Sequence, residues 1–343
     1  MKWIVLPISE IENFRSIWED LNAKTTKSPL LSLDFLLPLL QIFGDGKEKL
    51  AYLENKREID AIGVFRTNNH HVWMTFQVSQ APLGIWLQKP DVDLAEVLPL
   101  LLKELPSFPL LLAVTQQDPD LFQRPQNTNK LSTIDYIQTA RVTIEGDFED
   151  YWAKRGKNLR QNIKKQRNKL EKTSITTRLD VSTAESDVSK AINDYGRLEN
   201  AGWKAGLGTA IHPSNKQGLF YQSILENFCR QGKGRIYRYW FNDKIVAMDL
   251  CIEGDDSIVI LKTTYDECLD PSISPAFLMR DEEFKQLFTE KKVSKIEFYG
   301  KVMDWHTKWA NEFRTLYHVN YYHWATLKMS HSLIKKARSF FGN

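Results

Sequence analysis

Three cysteines in 343 residues, Cys229, Cys251 and Cys268, are too few, too scattered and wrong in parity for a disulfide framework. No CxxC pair is present, so a zinc site has no sequence basis, and the His70-His71 pair and His306 read as ordinary loop or surface residues rather than metal ligands. Low-complexity tracts are absent, which excludes a linker or a scaffold of disordered type. Long apolar runs are absent too. The greasiest stretch, Leu30 to Phe43, contains Asp34 and Pro38 and is too short for a bilayer span. Met1-Lys-Trp-Ile-Val-Leu-Pro7 does not have the apolar core of a secretory signal. These absences lead us to expect a soluble cytoplasmic protein without a transmembrane segment and without a metal.

What is present is an ordinary globular composition, 42% hydrophobic and 26% charged, in a chain long enough for two domains. Its net charge of +3 conceals a segregation: Lys154 to Lys172 holds nine basic residues against Glu171, a local +8, leaving −5 for the rest. Leu159, Ile163 and Leu170 fall on one face of a helix there. Arg160, Lys164 and Arg167 form an adjoining stripe, and Lys165, Lys169 and Lys172 populate the far side. The stripe reads either as a solvated face or as an electrostatic guide for an anion such as a CoA phosphate, an acyl-carrier protein, a sugar nucleotide, tRNA or anionic lipid. Interleaved aromatics that would mark a dedicated nucleic-acid face are missing.

Both halves show helices, strand hairpins, a further helix and closing strands, with a joint near residues 145–150. This predicts an α+β protein of two similar mixed-sheet domains, residues 1–145 and 146–343. Asp147 with Asp150 three residues on resembles a capping box opening a helix. Asn242-Asp243 and Gly254-Asp255-Asp256 mark hairpin turns between three consecutive strands, Arg235 to Phe241, Lys244 to Ile252 and Ser257 to Tyr265. The last strand runs into a polar loop ending in Ser274-Pro275, a strong helix start whose unpaired N–H groups make an anion site. In the middle strand Asp249 lies among small residues. With the turn at Asp255-Asp256 it falls opposite Lys262, either as a structural ion pair or as a site carboxylate acting as general base.

Four stretches occur in order: Trp152 with Leu159-Arg160-Gln-Asn-Ile-Lys-Lys-Gln-Arg167; Glu199-Asn-Ala-Gly-Trp203-Lys204; Leu261-Lys262-Thr-Thr-Tyr265-Asp266 with Ser274-Pro275; and Glu297-Phe-Tyr-Gly with Lys308-Trp309. Together they resemble the GNAT-type acyltransferases of the cellulose-biosynthesis CelD-like family, distant relatives of the Fem aminoacyl transferases. The resemblance covers roughly residues 145–310, and the first half in layout only. It implies tandem GNAT-like domains and acyl transfer from a thioester, with acyl-CoA (acetyl-CoA) as co-substrate, in exopolysaccharide or cell-envelope pathways.

Carried onto this chain, the resemblance places the donor's pantetheine along the strand ending at Tyr265, with its phosphates near Ser274, Pro275 and Ala276. Glu199, Trp203 and Lys204 become an acceptor wall, joined by Arg160, Arg167 and Lys262. Lys308 becomes the cation facing the developing oxyanion, and Asp249 the second catalytic candidate. One departure is that Ala276 stands where the family has glycine, and its methyl restricts how closely a pyrophosphate approaches the backbone. The Gly-rich acyl-CoA loop of ordinary GNAT enzymes is also absent. Direct attack on the thioester needs no nucleophilic cysteine. The expected function is therefore acyl transfer from acyl-CoA or an acyl-carrier protein to an amine or hydroxyl of an anionic envelope or sugar substrate. A tRNA-dependent Fem-like transferase and a catalytically idle binding module stand as the alternatives.

Overall fold

The computed structural model describes residues 1–69, 71–201 and 211–329. In chain order the elements of the first half are strand β1 (Lys2–Pro7), helices α1 (Arg15–Lys24) and α2 (Leu33–Phe43), strands β2 (Lys49–Asn55), β3 (Glu58–Asn69), β4 (Val72–Thr75) and β5 (Trp86–Gln88), helix α3 (Leu94–Glu104), and strands β6 (Leu111–Gln117) and β7 (Leu131–Thr143). Then come helices α4 (Phe148–Ala153), α5 (Lys157–Lys172), α6 (Val188–Ala201) and α7 (Lys216–Arg230), with strand β8 (Thr177–Ser182) between α5 and α6. Strands β9 (Gly234–Phe241), β10 (Lys244–Glu253) and β11 (Ser257–Tyr265), helix α8 (Pro275–Glu290), strand β12 (Lys295–Phe298), helix α9 (Asp304–Trp309) and strand β13 (Glu312–Tyr322) follow. Among the described residues no helix is long and apolar enough to cross a membrane; the greasy Leu30 to Phe43 stretch is mostly the buried α2.

The chain forms two compact units, one from Met1–Gln138 with the chain returning to it at Arg314, the other Thr139–Phe313. The return separates this division from a simple cut at 145/146. In the first unit the strand order is β1-β2-β3-β4-β6-β13, with β5 also on β3. Its hairpin turn, Lys56-Arg57, has both residues at positive φ, the twist a two-residue turn requires. Trp3 and Trp18 anchor the helices by donating their indole N–H to the carbonyls of Val97 (2.9 Å) and Leu31 (2.7 Å).

The second unit has the order β7-β12-β11-β10-β9-β8, all antiparallel neighbours except β11 and β12, which are parallel and bridged by α8. The first unit repeats the plan, with β4 and β6 parallel and α3 in their crossover. The fold is α+β with mixed sheets in tandem, as the sequence pattern implies. Alternation along the strands divides the second unit into layers. Tyr237, Tyr239, Asp249 and Thr263 meet the α8 side, whereas Arg238 and Lys262 meet α6. The predicted cap holds, Asp147 accepting the Asp150 N–H at 2.8 Å, and α5 buries Leu159, Ile163 and Leu170 as its spacing demands.

Candidate active site

Parallel pairing between β11 and β12 lasts for three residues, Ser257↔Lys295 to Val259↔Glu297. Beyond Val259, β11 runs on to Tyr265 with β10 on one side and no strand partner among the described residues on the other. Backbone N–H and C=O groups left along such an edge demand hydrogen-bond partners, so this edge can recognise an extended, amide-bearing ligand. At its end opens a cavity of about 270 Å³ lined by Thr263, Tyr265, Ser274, Ala276, Phe277, Arg280, Trp305 and Trp309. Three donor-site residues expected from sequence, Tyr265, Ser274 and Ala276, thus share one cavity, with Pro275 buried behind them as the first residue of α8.

The helix start differs from expectation in its hydrogen bonds. Ser274 occupies the N-cap position, but its hydroxyl makes no capping bond. Its own N–H donates to Gln166 Oε1 on α5 at 2.7 Å, Pro275 has no N–H, and the Phe277 N–H turns back to the Ser274 carbonyl at 3.1 Å. In the preceding loop the N–H groups of Cys268, Ser272 and Ile273 are also taken internally, by Asp266 and Asp270.

Arg280 is the charged residue in the lining, and sequence reasoning missed it. It is 2% exposed and donates through Nη1 to Asp249 Oδ2 and to Glu283 Oε2 (2.6 Å), and through Nη2 to Thr263 Oγ1 (3.0 Å). Asp249, fully buried, therefore lies behind Arg280 rather than in the cavity. Its expected partner is also corrected. A bulge between Leu250 and Cys251 shifts the register, so Asp249 faces Thr263 and Lys262 faces Leu250 on the other side of the sheet.

Two carboxylates share one guanidinium here, and burial, with the adjacent Asp249, pushes the Glu283 carboxyl up to about 8 despite the attraction of Arg280. Asp249, Cys251 and Glu283 offer metal-type ligand atoms within 4.8 Å of one another, but the guanidinium already bonds both carboxylates of that trio. A group whose folded pKa is raised loses stabilisation as pH climbs from the ordinary glutamate range through that value. Stability should accordingly fall between about pH 5 and 8, and Glu283→Gln, which mimics the neutral carboxyl, should flatten this slope in urea melts across that range. An unchanged slope would refute the protonated assignment.

On the opposite face Lys262 Nζ lies 3.4 Å from Glu199 Oε1 and over the rings of Tyr195 (5.9 Å) and Tyr221 (5.4 Å). Glu199 Oε2 also accepts the Ile211 N–H at 2.8 Å. Trp203 and Lys204, expected beside them, lie outside the described residues. Arg167 grips α8 through Asp281 (2.6 Å) and Glu282 (2.9 Å), so its fork joins the two helices. Arg160 is exposed and donates Nε to the Arg155 carbonyl. Lys308 is exposed and does not line the cavity, but its Nζ lies 5.3 Å from the centre of the ring of Phe277, which does. His306, expected at the surface, is 5% exposed, stacked 3.6 Å from Trp305, and burial pushes its pKa down to about 4. A short surface-like helix conceals this because its inner face is seen only once Phe298 and Trp305 pack on it.

Residues 157–307 match the model of the acetyltransferase (GNAT) domain. No curated protein sequence matches the chain. Among solved structures, FemX is similar with a TM-score of 0.59 at 8% identity, over 93% of this chain and 97% of that one. The C-terminal domain of a protein assigned as a lysylphosphatidylglycerol synthetase from Agrobacterium fabrum gives 0.55 at 12%, over 90% and 92%. L-PGS from Bacillus licheniformis gives 0.52 at 13%, over 90% and 91%. These likenesses show a shared fold, and the acetyltransferase (GNAT) domain match lies within the second unit.

Proposed function

We propose that this GNAT-type domain moves an acyl group from a pantetheine thioester, acyl-CoA in its simplest form, to an amine or hydroxyl of an exopolysaccharide or envelope precursor in the cytoplasm. The observation that carries this reading is the β11 edge beyond Val259, which has no second strand neighbour among the described residues and runs into a cavity lined by aromatics and one buried guanidinium. The pantetheine amides would complete the edge as an added strand does. Its phosphate would lie toward Ala276 at the start of α8, and the thioester carbonyl between Lys308 and Arg280.

Attack by the acceptor forms the new C–N or C–O bond, the C–S bond breaks, and the acceptor's proton ends on the departing thiol. The two cations would stabilise the oxyanion between these events. Asp249, held behind Arg280, would act by fixing that guanidinium rather than by taking a proton itself. Lys262 and Glu199, on the other face of β11, would line the acceptor's approach.

Titration calorimetry with acetyl-CoA and longer acyl-CoAs tests the site. Ala276→Phe projects a ring into the cavity from the first turn of α8 and should abolish binding while the thermal melt stays cooperative. Full affinity in the folded variant would sink the donor site.

A further inference from the structure

We infer that the donor is delivered by an acidic carrier protein, its acyl group on a phosphopantetheine arm, docked against the outer face of α5. This rests on the acyl-transfer reading above and names its partner. The first observation is the hydrogen-bond economy of the α8 start. With the Ser274 N–H given to Gln166, Pro275 without one, and Phe277 bonded back to Ser274, Ala276 offers the amide of that turn that has no hydrogen-bond partner among the described residues. The loop amides of Cys268, Ser272 and Ile273 are spent as well. A pyrophosphate needs a nest of converging N–H groups. One amide suits a single phosphodiester, which is what a carrier-borne arm has and CoA exceeds.

The second observation is charge. Lys157, Lys164, Lys165 and Lys172 are exposed along α5 and form no ion pair among the described residues, whereas Arg167 and Lys169 are tied to α8 and its loop. Sixteen helical residues span about 24 Å, far more than the compact phosphate cluster at one end of CoA can cover. The helix also abuts the cavity it would serve: Gln166 bonds Ser274, and Arg155, just before it, donates to the carbonyl of Trp309 at 2.7 Å.

The partner's class follows from what α5 does not expose. Its apolar residues Leu159, Ile163 and Leu170 are buried in the core, so nothing remains to insert into a membrane. Its other exposed positions are Asn158, Arg160, Gln161, Asn162, Asn168 and the single acidic Glu171, with no aromatic to stack a base. A rigid helical face of spaced cations fits an acidic protein surface and steers its encounter. In the transfer the carrier's thioester C–S bond breaks, the acyl carbon bonds the acceptor's nitrogen or oxygen, and the arm keeps its sulfur as a thiol carrying the acceptor's proton.

Biolayer interferometry on the full chain tests this with acyl-loaded holo carrier protein of fatty-acid type, the matching acyl-CoA, and bulk tRNA. The carrier should bind at least about tenfold more tightly than acyl-CoA at low salt and weaken as salt rises. Lys164→Glu with Lys165→Glu should cost the carrier about tenfold or more in affinity, with Lys157→Glu and Lys172→Glu as a second pair and an unchanged thermal melt as control. Acyl-CoA bound as well as the carrier, or carrier binding indifferent to both pairs, overturns the inference while leaving the acyl-transfer reading intact. Neither donor binding overturns both. A tRNA complex abolished by the same reversals, without carrier binding, also overturns it.

Discussion

Arg280→Met is expected to destabilise the second unit by roughly 3–5 kcal/mol, the range for removing one partner of a buried ionic group. The guanidinium holds Asp249, Glu283 and Thr263 in a core where Arg280 and both carboxyl groups are nearly or fully inaccessible. Methionine fills much of the volume but leaves Asp249 buried without a counter-charge, and it removes the attraction by which Arg280 opposes the raised pKa of Glu283. A carboxyl with a raised folded pKa loses stability as pH rises, so the deficit should be smaller near pH 5 than at pH 8. Adding Asp249→Asn should recover part of the loss, because removing both charges is far less costly than stranding one. Urea melts at the two pH values measure this. A deficit under about 1 kcal/mol, the same at both, would show that the network contributes little and that Arg280 is held for its reach into the cavity alone.

Lys308→Met should leave stability within about 0.5 kcal/mol of the parent, since the residue is exposed and its ring contact with Phe277 is 5.3 Å. Its effect belongs to catalysis. A cation that meets charge only as the oxyanion develops contributes to the transition state and not to the ground state. kcat should therefore fall about 10²–10³-fold with donor affinity nearly intact. Transfer kinetics, or donor hydrolysis where the acceptor is not supplied, reads the split. A raised acceptor KM with kcat preserved would make Lys308 an acceptor grip, and parental values for both would remove it from the mechanism.

The route from sequence to site ran well where the signals were local. The turn Asn242-Asp243, the strand to Tyr265 and the start at Ser274-Pro275 each depend on a few neighbouring residues, and each stands where the pattern put it. Tyr265, Ser274 and Ala276 lie within one such strand–loop–helix stretch and line one cavity. Arg280 left a faint signal, an arginine on the same helical stripe as Phe284 and Leu287 with Glu283 one turn on. Asp249 in a central strand demanded a cation, and the sequence offered Lys262 in the simple register. Choosing between them required knowing of the bulge at Leu250/Cys251, which slips the pairing and turns Lys262 to the other face.

By itself the sequence determined the α+β pattern, the basic helix with its apolar stripe, and the strand–loop–helix around Ser274, because periodicity, turn chemistry and capping act over a few residues. The tertiary structure decided the rest. It returned the last strand to the first unit, spent the amides at the α8 start, and buried Arg280 between two carboxylates. Those outcomes depend on partners far apart in the chain, Gln166 with Ser274 and Asp249 with Arg280, whose meeting is fixed by packing and strand register and is written in no short stretch of residues.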